Sequence, residues 1–347
     1  MKNLFVITND SIDKKNNYLF TNSSDLENIL GAFSNKIIFI LCRKFKTKKN
    51  YKLKKNKIKL INFFEFLKNA KENDKILFIS ITPFNFINLI FLKIFFKKKV
   101  DTYLYLRSDG FKEYMIKFKL FGYFFYGLMF VFFKKFTKII SCSKHLSHVK
   151  KFTYVDPSKI DKNWLINRVK PKLAQIKLLY VGRIKKEKGI FSFINLLENI
   201  PIKYQLTILG SKYNNIIKAN ENLIFYKKEL YDHKKIKKYY DNCNLFVLPS
   251  YTEGNPQVIK ESFARQRPVI VFEDLKFLSK QYKGVIVSKR NKKNLQASIK
   301  NIFKNYNYFY HLSKKNKIIL KENFQKIFLT KPLVCLCHLD HEHQMFY

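Results

Sequence analysis

The sequence predicts an α/β protein built from two doubly wound, parallel-sheet domains. Three observations carry that expectation. Short apolar runs of strand length recur through both halves and alternate with segments of helical periodicity. β-α-β alternation gives parallel strands with helices on both faces. The alternation is interrupted once, by a polar, Pro-containing stretch from Asp156-Pro157-Ser158 to Pro171-Lys172, and then restarts. Finally, 347 residues suffice for two domains, each burying its own core. The expected organisation is 1–165, 166–325 and an atypical tail at 326–347.

In chain order, residues 4–8 make the first strand. The N-terminal apolar run is too short for a signal peptide and suits a buried strand. Residues 9–15, Asn9-Asp10-Ser11-Ile12-Asp13-Lys14-Lys15, follow as a loop without glycine. Ser24-Asp25-Leu26-Glu27 is a capping box that starts a helix through Leu30 and Phe33. Further strands are expected at 37–42, 58–61, 76–81, 103–107 and 138–142. The apolar stretch 84–96 is broken by Asn85, Asn88 and Lys93 and does not span a membrane. The longest apolar run, 120–133, has 14 residues, whereas a spanning helix needs about 20. It is expected to be a buried helix, with an interfacial one as the alternative. The second half places strands at 177–181, 205–209, 223–226, 245–248, 269–272 and 284–287. Ile190, Phe193, Ile194, Leu197 and Ile200 form an apolar stripe at helical spacing.

Composition narrows the function classes. The net charge is +43, yet only seven of the 68 basic residues are arginine. Base-edge readers favour the bidentate guanidinium, so nucleic acid is disfavoured as a partner. Lysine drift in an AT-rich genome accounts for much of the charge, and an anionic membrane surface is the partner it would suit. The five cysteines form no evenly spaced framework, which points to a reducing compartment. The tail segment Cys335-Leu336-Cys337-His338-Leu339-Asp340-His341-Glu342-His343 lacks the separated ligand pairs of a zinc site. No metal site is expected. The expected location is cytoplasmic, peripheral on the inner membrane face.

Two segments carry chemistry. Gly182-Arg183-Ile184-Lys185-Lys186-Glu187-Lys188-Gly189 follows a strand. Its glycine allows close backbone approach. Arg183 offers two donors to a phosphate and Lys188 a mobile point charge. Pro249-Ser250-Tyr251-Thr252-Glu253-Gly254-Asn255-Pro256-Gln257-Val258-Ile259-Lys260-Glu261 also follows a strand. Pro256 suits the first turn of a helix. The free amides from Asn255 to Val258 would make an anion site, with Glu253 before it and Glu261 one to two turns in. Both segments lie where a parallel α/β sheet opens its ligand crevice. Two cations suit a diphosphate, and two carboxylates suit sugar hydroxyls.

Residues ~177–306 resemble the nucleotide-sugar domain of the family 4 retaining glycosyltransferases. Gly182-Arg183…Lys188-Gly189 and Pro249-Ser250…Glu253…Glu261 match its two motifs in order and spacing. The resemblance implies the GT-B architecture, two Rossmann-like domains facing across a cleft. It implies sugar transfer with retention from a nucleoside-diphosphate sugar to a lipid-linked or polysaccharide glycan, with neither metal nor cofactor. It places Arg183 and Lys188 on the donor diphosphate, Glu261 on the ribose, and Glu253 with the backbone of Gly254, Asn255, Pro256 and Gln257 around the transferred sugar, with Gly182 and Val258 also binding the donor. The first half matches less closely. The family's glycine-rich loop is missing after the first strand, and Asp109 or Arg107 stands where many members place a catalytic histidine. Ala264-Arg265-Gln266-Arg267-Pro268 stands where a small residue and glycine are commoner. Two other readings stay open: a nucleotide-sugar epimerase or hydrolase on the same scaffold, and a basic membrane- or nucleic-acid-binding protein without catalysis.

Overall fold

The computed structural model describes residues 3–15, 18–21, 26, 37–43, 51–53, 58–96, 99–146, 151–198, 200–210, 223–226 and 233–320. The chain forms two compact units. The first contains Met1–Pro157 and the second is Ser158–Lys321.

In the first unit, seven strands form a wholly parallel sheet. They are β1 (Leu4–Thr8), β4 (Ile38–Cys42), β6 (Ile58–Leu60), β7 (Lys75–Ile79), β8 (Asp101–Leu106), β9 (Lys138–Ser141) and β10 (Thr153–Tyr154), in the order β10-β9-β8-β7-β1-β4-β6. Alternate residues face opposite sides. Val6, Ile40 and Leu77 therefore enter one core, and Phe5, Phe39 and Phe78 the other. Burial on both faces is why the strands read as unbroken apolar runs. The helices α1 (Phe63–Asn69) and α2 (Pro83–Phe95) start at side-chain caps from Asn62 and Thr82.

Two expectations need correction here. The segment after β1 is not a plain loop. It enters a three-stranded antiparallel sheet of β2 (Ile12–Lys15), β3 (Tyr18–Thr21) and β5 (Tyr51–Leu53). Ile12 and Leu19 are buried in the first core, and so short an alternation is easily missed in sequence. The run 120–133 is likewise not simply a buried helix. It belongs to α3 (Gly110–Phe136), which breaks at Lys119 (φ 55°, ψ −145°). The Phe111 ring lies 4.8 Å from Tyr126 and 5.3 Å from Phe130. Residues 15 apart on a straight helix would be about 22 Å apart, so α3 is a helical hairpin with arms 110–118 and 120–136. Gly110 permits the close return, since a Cβ there would lie 2.1 Å from the Tyr126 ring. One face of the longer arm is buried and the other exposed. The expected capping box and its helix lie outside the described residues apart from Leu26, which is buried. The tail 326–347 lies outside them entirely.

In the second unit, β11 (Ile176–Val181), β12 (Tyr204–Leu209), β13 (Leu223–Tyr226), β14 (Leu245–Leu248), β15 (Val269–Phe272) and β16 (Val285–Ser288) form another parallel sheet. Its order is β13-β12-β11-β14-β15-β16. Strand order reverses between β11 and β14, which makes their carboxyl ends the topological switch point. The helices are α4 (Ile190–Leu197), α5 (His233–Asn242), α6 (Gln257–Ala264), α7 (Phe277–Gln281), α8 (Lys292–Lys304) and α9 (Tyr306–Lys314).

The unit begins earlier than residue 166, because Ile160 and Trp164 are part of its core. The fully buried Arg265 holds that segment, donating to the carbonyls of Trp164, Ile166 and Asn167 at 2.6–2.9 Å and to Asp241 at 2.6 Å. Arg267, equally buried, donates to Val169, Tyr240 and Asp241 carbonyls. The two unexpected arginines after α6 therefore clamp the connection to the second core.

Candidate functional site

The site grows from the ends of β11 and β14. After β11 the chain turns at Gly182, whose amide donates to the Leu209 carbonyl at 2.9 Å. The buried Tyr180 hydroxyl donates to the Arg183 carbonyl at 2.8 Å and fixes the turn. Arg183 itself is exposed. A 3-10 turn at Lys186–Lys188 leads to Gly189, which has φ 65°. A Cβ at Gly189 would lie 2.0 Å from the Pro249 carbonyl oxygen, so glycine lets the two loops touch. The Tyr251 amide then donates to the Glu187 carbonyl at 3.0 Å.

Side chains complete the joint. Lys188 Nζ lies 2.7 Å from Glu253 Oε1, and both side chains are mostly buried. The Ser250 hydroxyl donates to the same Glu253 oxygen at 2.7 Å. Arg290 binds the Pro249 carbonyl at 3.0 Å and Asp274 at 2.7 Å, with its guanidinium 4.1 Å above the Tyr251 ring and 4.3 Å from the Phe272 ring. α6 starts after Pro256, which is the N-cap rather than a first-turn residue, and no side chain caps the helix. The start of an α-helix favours negative charge through its backbone dipole. Deeper in, the Tyr240 hydroxyl donates to Glu261 Oε2 at 2.9 Å. Burial, and then the Glu261 carboxylate, push the Tyr240 pKa up, so the phenol stays a donor that orients Glu261. The buried Thr252 hydroxyl, beside Glu253, has no hydrogen-bond partner among the described residues.

Sequence comparison now bears on this geometry. Residues 163–319 match the sequence model of the family Glycosyl transferases group 1. That stretch is similar to a group 1 glycosyltransferase domain. Over 98 residues it is 33% identical to a protein of Bacillus subtilis named as a teichuronic acid biosynthesis glycosyltransferase, TuaC. That alignment spans 28% of this chain and only a quarter (25%) of the relative. The fold resembles sucrose-phosphate synthase from Thermosynechococcus elongatus with TM-score 0.66, at 13% identity over 94% of this chain and 97% of that one. It also resembles Anabaena HepE, solved with UDP and glucose, with TM-score 0.66 at 11% identity over 94% and 98%. WaaG, a glycosyltransferase involved in lipopolysaccharide biosynthesis, gives 0.60 at 12% identity over 94% and 100%. These likenesses show the fold, two parallel-sheet α/β units of the GT-B glycosyltransferases.

The second unit thus gathers Gly182, Arg183, Lys188, Glu253, Gly254, Asn255, Pro256, Gln257, Val258 and Glu261 around one switch point, as their places beside β11, β14 and α6 require. Sequence reasoning missed Arg290 and gave Ser250, though part of the motif, no role of its own. Arg290 lies 41 residues from Pro249, and its one sequence signal is being an arginine in a lysine-rich chain.

Asp109 belongs to the first unit, where it serves as the N-cap of α3 and accepts from the Lys112 amide at 3.2 Å. Arg107 is engaged by Asp10 at 3.0 Å and by the Ser80 hydroxyl at 2.9 Å. The Ser143 hydroxyl is hydrogen-bonded to His145 Nδ1 just after β9. Asp10, Ser80, Arg107 and Ser143 all sit at the carboxyl ends of strands in that sheet, the crevice side of its own switch region.

Proposed function

We propose that this chain is a retaining glycosyltransferase that moves a sugar from a nucleoside-diphosphate sugar to a lipid-linked or polysaccharide glycan acceptor, without a metal. The observation that carries the reading is the contact between Gly189 and Pro249, which brings Lys188 and Glu253 to 2.7 Å beside the uncapped start of α6. In this reading the bond from the anomeric carbon to the diphosphate breaks while the acceptor oxygen bonds the same face of the sugar. The acceptor proton passes to the departing phosphate oxygen. Arg183, Lys188 and the α6 amides stabilise the charge developing on the diphosphate. Glu261, held by Tyr240, receives the ribose hydroxyls. Donor phosphate would draw Lys188 away from Glu253 and free that carboxylate for the sugar. Asp109 is retained as the first-unit candidate at the scissile bond, although its capping bond makes it a structural residue as well.

The test is thermal unfolding with UDP, GDP, ADP and CMP in turn, on wild type and on Arg183→Ala. A ligand binding only the folded state at 100 times its Kd stabilises it by about 2.7 kcal/mol. One nucleotide is expected to raise Tm, with most of the shift lost in Arg183→Ala. UDP is the first to try, since it occupies the HepE structure. No shift with any nucleotide would overturn the reading.

A further inference from the structure

The first unit carries an apolar surface that its own fold leaves open. The longer arm of α3 buries Tyr126, Met129 and Phe133 against the sheet. On the opposite side Leu120, Phe121, Phe124, Leu128 and Val131 are 64–75% exposed. Their spacing, i, i+1, i+4, i+8, i+11, makes one helical stripe. The neighbouring α2 extends it with Ile94 and Phe95, 58% and 61% exposed, and the Phe86–Phe132 ring contact at 5.4 Å ties the two helices together. A contiguous apolar face of this kind marks an interaction surface.

Its borders are cationic. Lys117 and Lys119 flank the tip of the hairpin, Lys134 and Lys135 close the far end, and no charged residue lies between Leu120 and Phe133. Glu113 approaches this border, at 3.9 Å from Lys117. The segment cannot cross a bilayer in this fold: α3 doubles back at Lys119, and its inner face is occupied by the core. A second copy of the chain would bring lysine borders of two +43 molecules together, which opposes self-association. An anionic surface removes that repulsion.

We propose that the α3 hairpin, with α2 beside it, docks flat on an anionic lipid bilayer. The apolar stripe enters the boundary between headgroups and acyl chains, about 5–10 Å deep. The bordering lysines meet the anionic headgroups, and the attraction falls with salt. Exposure and charge in the first unit favour this docking independently of the proposed reaction.

Flotation of the full chain with phosphatidylcholine vesicles, with and without phosphatidylglycerol, tests it. The variant combines Phe121→Asp, Phe124→Asp and Leu128→Asp, all at exposed positions. Wild type is expected to float with the anionic vesicles and to be released by salt. The triple variant should bind at least about tenfold more weakly, with an unchanged thermal shift in UDP, because transfer of each stripe residue to an aqueous carboxylate removes both insertion and charge attraction. The unchanged shift also separates failure of docking from failure of nucleotide binding. Wild type that ignores anionic vesicles would overturn the proposal. So would a triple variant that floats equally well, or one that alters only the oligomeric state in sedimentation.

Discussion

Gly189 is the residue on which the site's geometry turns. It has a left-handed φ of 65° and touches the Pro249 carbonyl. Gly189→Ala would meet both the left-handed penalty, about 1–2 kcal/mol, and a clash with backbone that Arg290 holds in place. The expected result is an unfolding free energy, from urea titration, lower by at least that amount, with a weakened thermal response to UDP. Equal stability and an equal response would mean that the two loops are not locked together. The same locality explains what the sequence reveals about the site. Arg183, Lys188, Glu253 and Glu261 lie in short segments whose order and spacing are visible in the chain. The Lys188–Glu253 pair is not, because its members are 65 residues apart and become partners only when β11 and β14 lie side by side.

At the scale of elements, the end of α6 departs from the family pattern for a physical reason. Gln266 occupies φ 61°, a conformation that glycine takes without cost and other residues take at about 1–2 kcal/mol. Its side-chain oxygen accepts from the Tyr310 hydroxyl at 2.5 Å, which joins α6 to α9. A hydrogen bond of this kind contributes about 1 kcal/mol, so the two terms nearly cancel. Gln266→Gly alone should therefore change stability little, whereas the same change in a Tyr310→Phe background should stabilise by about 1 kcal/mol. Urea unfolding of the four proteins in this double-mutant cycle measures the coupling; additive effects would refute it. α3 offers the parallel case of a break no sequence pattern announces. Lys119 is neither Gly nor Pro, and the hairpin is held by rings from both arms.

At the scale of the molecule, buried titratable groups set a response to alkali. Burial raises the pKa of Tyr126, Tyr180, Tyr240 and Tyr306 above the ordinary 10.0, and lifts the Cys243 thiol from 9.0 to about 12. Each group keeps its proton longer in the folded chain than in the unfolded one. Its contribution is therefore complete below the unfolded pKa and is lost as pH rises through the folded value. Stability should fall above about pH 9, first through Cys243 and then through the tyrosines. Urea unfolding at about pH 8 and about pH 11 checks this, and Cys243→Ser should blunt the earliest part of the decline. A flat profile would show that these groups are hydrated in the folded protein.

By itself the sequence determined the two α/β units, their central strands and the pair of motifs beside β11 and β14. Strands buried on both faces must be continuously apolar, and a loop that binds an anion needs glycine, cations and a free helix start within a few residues. Both are local demands, legible along the chain. Tertiary structure alone decided the hairpin in α3 with its open apolar face, the antiparallel sheet after β1, the clamps by Arg265 and Arg267, and the place of Arg290 against the Pro249 carbonyl and the Tyr251 ring. Those depend on which distant segments meet, and the energy of a contact is set by the partner that arrives rather than by the residues on either side.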